Sequence, residues 1–123
     1  MRVLIVDDSQ LMRKVLIGAL KRIGINDIIE ATNGKEALEK VILNPDIGLV
    51  LMDSRMPVMG GLHAIKKMRA VGYKLPIIMV STEAEKTRVL EAIRAGANDY
   101  LIKPFNPRDI QAKLEKHLVN NSA

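Results

Sequence analysis

Six side chains could do chemistry together if the fold gathered them: the acidic pair Asp7-Asp8, Asp53, the hydroxyls of Ser81 and Thr82, and Lys103. Three carboxylates within a few ångströms repel one another and raise at least one pKa unless a cation lies among them. Oxygen-only ligands with room for water favour Mg²⁺ over transition metals, and Mg²⁺ commonly takes one or two carboxylates together with phosphate oxygens. A lysine and a hydroxyl facing that metal add charge and a hydrogen bond for the remaining oxygens of a phosphoryl group. A carboxylate can itself be the nucleophile and form an aspartyl phosphate. The set reads as a Mg²⁺-assisted phosphoryl-transfer site.

Each residue also has a plainer reading. Asp7-Asp8 before a helix could complement its dipole. Asp53 could cap the following helix, Ser81-Thr82 could cap another, and Lys103 could be a surface lysine. The conjunction decides, because four separate segments supply complementary groups.

The elements that must deliver them are legible from periodicity. Residues 47–52 run apolar without alternation into Asp53, between the turn signals Asn44-Pro45 and Met56-Pro57. That suits a strand buried on both faces, as in a parallel sheet covered by helices. Residues 2–6 form a similar strand ending at Asp7-Asp8, with Ser9 as the N-cap of a helix whose stripe is Met12, Leu16, Ala19, Leu20 and Ile23, closed by Gly24. A second strand, 27–31, leads through the cap signal Thr32-Asn33-Gly34 into a helix carrying Ala37, Leu38, Val41 and Ile42. A third helix, 61–71, turns Leu62, Ile65 and Met68 inward, and a fourth strand, 77–80, ends at Ser81-Thr82. Residues 84–95 form a helix with Val89, Leu90 and Ile93 on one side, closed by Gly96. A fifth strand, 99–102, runs into Lys103-Pro104-Phe105, and Asn106 caps a last helix with Pro107 at its first position and Ile110, Leu114 and Leu118 buried. Five βα units imply an α/β domain with a parallel sheet, right-handed crossovers and helices on both faces. All five strand ends then share one edge, where open α/β sheets bind ligands.

Composition narrows the classes further. The 123 residues suffice for one domain, with no effector domain expected, and residues 120–123 read as a frayed tail. No cysteine is available for disulfides or thiolate metal sites. The N-terminus lacks a signal-peptide pattern and no apolar run nears the roughly 20 residues of a membrane span, so a cytoplasmic protein without membrane insertion is expected. The net charge of +5 raises nucleic acid as a partner, but the 19 Lys and Arg are scattered over helix faces, with one Phe, two Tyr and no Trp to stack on bases. No nucleic acid is expected; a mildly basic surface steers acidic protein partners. His63 and His117 read as surface residues, and the seven methionines as core filler.

Four ordered motifs, Val6-Asp7-Asp8-Ser9, Leu51-Met52-Asp53-Ser54-Arg55-Met56-Pro57, Val80-Ser81-Thr82-Glu83 and Tyr100-Leu101-Ile102-Lys103-Pro104-Phe105, resemble the receiver domain of two-component response regulators. The resemblance covers residues 1–119 and is greatest to the stand-alone chemotaxis (CheY-like) type. It implies a doubly wound, flavodoxin-like five-stranded sheet of order 2-1-3-4-5. It implies that Asp53 accepts a phosphoryl group from a phosphohistidine of a sensor histidine kinase or histidine phosphotransfer protein. Asp8, Asp53 and the Arg55 backbone carbonyl then ligate Mg²⁺, with Asp7 acting through water. Lys103 contacts the phosphoryl group, Ser81 moves to hydrogen-bond it, and Tyr100 turns inward, shifting the face of helix four, strand five and helix five. The helix-one face with Gln10, Arg13 and Lys14 is the implied kinase-docking surface, Lys103-Pro104 is implied to be cis, and the flagellar motor switch is the candidate downstream target of a monomer.

The chain departs from the pattern in two places. Gly60 stands where the family commonly has Asp, removing a side-chain cap, and Arg55 is bulky and cationic, able to pair with Glu83 across the pocket mouth. The family's hydroxyl aligns with Ser81, with Thr82 beside it. The leading reading is a signalling protein, not a turnover enzyme, that catalyses its own phosphorylation and dephosphorylation. Alternatives are a phosphorelay shuttle, a Mg²⁺-dependent phosphohydrolase, a flavodoxin-like cofactor binder and an unphosphorylated scaffold. Against the cofactor binder, the chain has neither G-x-G-x-x-G nor G-x-x-x-x-G-K-[ST].

Overall fold

A computed structural model describes residues 1–122, with side chains described through His117. Strands and helices alternate: β1 (Arg2–Val6), α1 (Gln10–Arg22), β2 (Ile28–Ala31), α2 (Gly34–Leu43), β3 (Ile47–Asp53), α3 (Gly61–Val71), β4 (Ile77–Ser81), α4 (Lys86–Ala95), β5 (Asp99–Ile102) and α5 (Pro107–Ser122). The strands form one parallel sheet of order β2-β1-β3-β4-β5, the expected doubly wound topology.

The unbroken apolar strands are explained by two cores, one on each face. Leu4, Val50, Met52, Ile77 and Met79 point to the side covered by α2, α3 and α4, where Val41, Ile65 and Met68 meet them. Val3, Ile5, Leu51, Ile78 and Val80 point to the side covered by α1 and α5, against Leu16, Leu20, Ile110 and Leu114. Both side-chain rows of a central strand are thus buried, which forbids polar alternation. Among the described residues no helix is long and apolar enough to cross a membrane.

The helix ends obey local chemistry. The Ser9 side chain accepts from the Met12 N–H, and the Asn33 side chain accepts from the Glu36 N–H. Asn106 and Asp109 cap reciprocally, the side chain of each accepting from the other's backbone N–H. At the end of α1, Gly24 adopts φ +89 and lets the Ile25 N–H reach the Leu20 carbonyl. As expected, α3 has Gly60 at its N-cap and no side-chain cap.

Several expectations need correction. α4 begins at Lys86, two residues later than expected, and Glu85 occupies its N-cap, so neither Ser81 nor Thr82 caps it. Its inward side is Ala92 with half-buried Val89; Leu90 and Ile93 are 40% and 42% exposed. An alanine seam lets α4 sit close to the sheet and turns the larger residues outward. Ile42 of α2 is likewise exposed rather than in the stripe. α5 continues through Asn120 to Ser122, into the segment expected to fray. Ala123 and the Leu118 side chain lie outside the described residues.

Candidate functional site

The carboxyl-terminal edge of the sheet gathers the predicted residues. Asp7 follows β1 and is 1% exposed; Asp53 is the last residue of β3 and is 8% exposed; Asp8 is exposed. One carboxylate oxygen from each lies within 4.8 Å of the others, an arrangement that could hold a metal ion. Asp7 Oδ1 accepts from the Ser9 N–H at 2.9 Å, and the Asp7 carbonyl accepts from Arg13 Nη1 at 2.8 Å, so the acidic pair is fixed by the start of α1. Parallel pairing of β4 with β5 carries Lys103 to the same place, its N–H donating to the Ser81 carbonyl at 2.8 Å. The Lys103 ammonium then bridges Asp7 Oδ2 at 3.2 Å and Asp53 Oδ1 at 3.4 Å. The Lys103-Pro104 peptide is cis, as implied.

Asp53 is backed by a close approach that only glycine allows. Gly61 opens α3 directly against the Asp53 carbonyl, where a Cβ would collide with the carbonyl oxygen. The Ser54 N–H donates to Asp53 Oδ1 at 2.9 Å. Both hydrogen bonds described at this carboxylate fall on Oδ1. Burial pushes the Asp53 pKa above the usual carboxylate range, and the Asp7 charge pushes it the same way; Lys103 and the Ser54 N–H oppose this without cancelling it. Negative charge therefore exceeds its compensation here, which fits a further cation among oxygen donors.

Of the two candidate hydroxyls, Ser81 is fully buried at the end of β4, whereas Thr82 is exposed. Ser81 Oγ lies 2.5 Å from Ser54 Oγ and accepts from the Glu83 N–H at 3.0 Å. Arg55 is 78% exposed and pairs with Glu83 at 3.2 Å, as its type and position predicted. Arg88 adds a second guanidinium to Glu83 at 3.4 Å. The Tyr100 ring is already inward at 9% exposed, with its hydroxyl donating to the Glu83 carbonyl at 2.6 Å.

Three placements differ from the sequence reading or were missed by it. His117 is 8% exposed, not a surface residue, and bonds Asp99 Oδ2 at 3.0 Å; His63 is exposed as expected. On the α1 face, Gln10 and Lys14 are exposed, but Arg13 is committed to Glu30 at 2.9 Å and to the Asp7 carbonyl. Ser54 was not singled out. Its signal was its place beside Asp53, and the contact with Ser81 depends on β3–β4 register that a single strand does not reveal.

The chain is thus a doubly wound α/β protein whose carboxyl edge carries three carboxylates that could hold a metal ion, with a lysine and a buried hydroxyl. Comparison with known proteins names the family. Residues 3–115 match the response regulator receiver domain. The chain is 43% identical to a chemotaxis protein CheY1 of Helicobacter pylori over 98% of its length and 99% of the relative's. A two-component response regulator from Clostridium difficile superposes with TM-score 0.91 at 30% identity over all of this chain and 99% of that one. A probable response regulator/GGDEF domain protein superposes with TM-score 0.92 at 30% identity, and the chain spans about half (51%) of that longer protein. This chain belongs to the response regulator receiver family, of the CheY-like kind.

Proposed function

We propose that the chain accepts a phosphoryl group on Asp53, in the presence of Mg²⁺, from a phosphohistidine of a sensor histidine kinase or phosphotransfer protein. The single observation that carries this is the buried Asp53, short of compensating charge yet touched by Lys103 and flanked by Asp7 and Asp8. Asp8, Asp53 and the Arg55 carbonyl would hold Mg²⁺, with Asp7 acting through water, and the ion would supply charge neutralisation for the phosphoryl oxygens. An Asp53 carboxylate oxygen attacks phosphorus, the donor's P–N bond breaks, and the histidine leaves. Lys103 stays on a phosphoryl oxygen and Ser81 turns to donate to another.

The added charge of about −1.5 to −2 and three acceptor oxygens repack Ser81 and Tyr100 and shift the α4–β5–α5 face toward a partner-binding form. Leu90, Ile93 and Ile102, each 40–42% exposed there, supply its apolar contacts. The chemotaxis names of full-length relatives support an output in chemotaxis, with a flagellar motor component as target and the cytoplasm as the site of action.

Intact mass after incubation with Mg²⁺ and acetyl phosphate tests the reading. The native chain should gain one phosphoryl group only when Mg²⁺ is present, and Asp53→Asn should gain none. A native chain that stays unmodified with both acetyl phosphate and a phosphohistidine donor would overturn it.

A further inference from the structure

Ser81 owns a single hydroxyl proton, and its neighbours indicate where it is committed. Either serine could donate in the 2.5 Å contact between their hydroxyls; we assign Ser81 as the donor, because the Ser54 hydroxyl has Glu83 Oε1, which can only accept, at 3.3 Å. The Ser81 oxygen meanwhile accepts from the Glu83 N–H. The next link is anchored from outside, since the Glu83 carboxylate also takes Arg55 and Arg88. Glu83 further receives the Tyr100 hydroxyl on its carbonyl. One chain of bonds thus runs from Ser81 through Ser54 to Glu83, and Glu83 holds Tyr100.

We propose that Ser54 is a positioning residue that competes with the phosphoryl group for the Ser81 proton, so that Ser81 reaches the phosphoryl group only when the Ser54 contact opens. The inference rests on phosphorylation at Asp53. With acetyl phosphate, an Asp53 oxygen forms its bond to phosphorus as the bond from phosphorus to the acetate oxygen breaks and acetate leaves. Ser81 contributes a hydrogen bond to a transferring oxygen, and that bond requires the proton held by Ser54. Because the contact is already open in the phosphorylated chain, Ser54 opposes gain of the phosphoryl group without affecting its loss to water. Glu83 ties the opening to Tyr100, since Ser81 cannot leave without surrendering its bond to the Glu83 N–H.

The test is a pair of rate constants, both read by intact mass: phosphorylation by acetyl phosphate with Mg²⁺, and decay after the donor is removed. Ser54→Ala should phosphorylate roughly two- to tenfold faster than the native chain, the span of one neutral hydrogen bond, with its decay rate unchanged. Ser54→Thr, which keeps a hydroxyl, should return to the native rate. In a Ser81→Ala background the gain from Ser54→Ala should vanish, because no proton is left to contest. Equal rates for native and Ser54→Ala chains, or a gain that persists without Ser81, would overturn the positioning role while leaving phosphorylation at Asp53 intact. A native chain that gains no phosphoryl group, or an Asp53→Asn chain that does, would overturn both.

Discussion

Asp53 and Asp99 lie at opposite ends of the parallel strands, one closing β3 and the other opening β5. Their side chains are nearly equally exposed, 11% and 12%. Burial pushes both pKa values up, yet Asp53 ends above its ordinary range and Asp99 is held at about 2. The neighbours decide. Asp53 shares one lysine with Asp7, whose negative charge adds to the effect of burial. Asp99 accepts from Lys113 at 2.8 Å, from His117 at 3.0 Å and from the Tyr100 N–H at 2.8 Å, with Lys116 at 3.6 Å. One carboxylate is left short of positive charge. The other is saturated and serves to lock α5 onto the sheet.

Removing Lys103, the one cation paired with Asp53 among the described residues, should have the largest effect on this contrast. Lys103→Ala should slow Mg²⁺-dependent phosphorylation by about 10²-fold, the size expected for a lost preorganised contact to a developing charge. Mg²⁺ affinity, measured by calorimetric titration, should rise, because an ammonium that repels the ion has gone. A fall in Mg²⁺ affinity would mean that Lys103 orders the carboxylates more than it competes with the metal.

Asp99 responds through stability. Asp99→Asn should lower the unfolding free energy by about 2 kcal/mol at pH 7, read from urea denaturation, which is an upper figure because Lys113 is partly solvated. The folded pKa is depressed from 3.8 to about 2, so this contribution is present above pH 3.8 and is lost as pH falls toward 2. The gap between native and variant chains should therefore close across that window. A gap that stayed constant down to pH 2 would assign the loss to packing rather than charge.

The same charge removal at the other end has the opposite sign. Asp53→Asn without Mg²⁺ should raise the urea midpoint with the slope unchanged, by less than Asp99→Asn lowers it, since Lys103 already offsets part of the repulsion. A lowered midpoint would place Asp53 with Asp99 as a stabilising carboxylate.

The two ends were not equally legible. Asp53 announced itself by ending a long apolar run, and the strand-end position of Asp7, Asp8, Ser81 and Lys103 followed once the sheet was known to be parallel. Burial patterns repeat along a strand, so one sequence carries that information. The Asp99 cluster depends on which turn of α5 crosses β5. His117 looked like a surface residue because its partner is 18 positions away and no local spacing links them. For α4, apolar periodicity favoured Leu90 and Ile93 as the inward face, whereas close approach through Ala92 won. Ser54 was invisible for the same reason as His117: its role is a contact between strands.

The smallest effects separate the two lysines at Asp99. Lys113 Nζ makes a hydrogen bond at 2.8 Å from a side chain 35% exposed, whereas Lys116 lies at 3.6 Å from a side chain 63% exposed. Solvent screens the second pair more, and holding a long side chain there costs rotamer entropy that the longer contact barely repays. Lys113→Met should cost about 0.5–1 kcal/mol and Lys116→Met only a few tenths, within the range for partly exposed pairs. Raising the salt from 0.1 to 1 M, which shortens the Debye length from about 10 to 3 Å, should erase the Lys116 effect and leave most of the Lys113 effect. Equal losses for both, equally screened, would mean that α5 is held by its overall charge. A larger, salt-resistant loss at Lys113 would identify its hydrogen bond, of the two lysine contacts, as the one that helps keep Asp99 saturated.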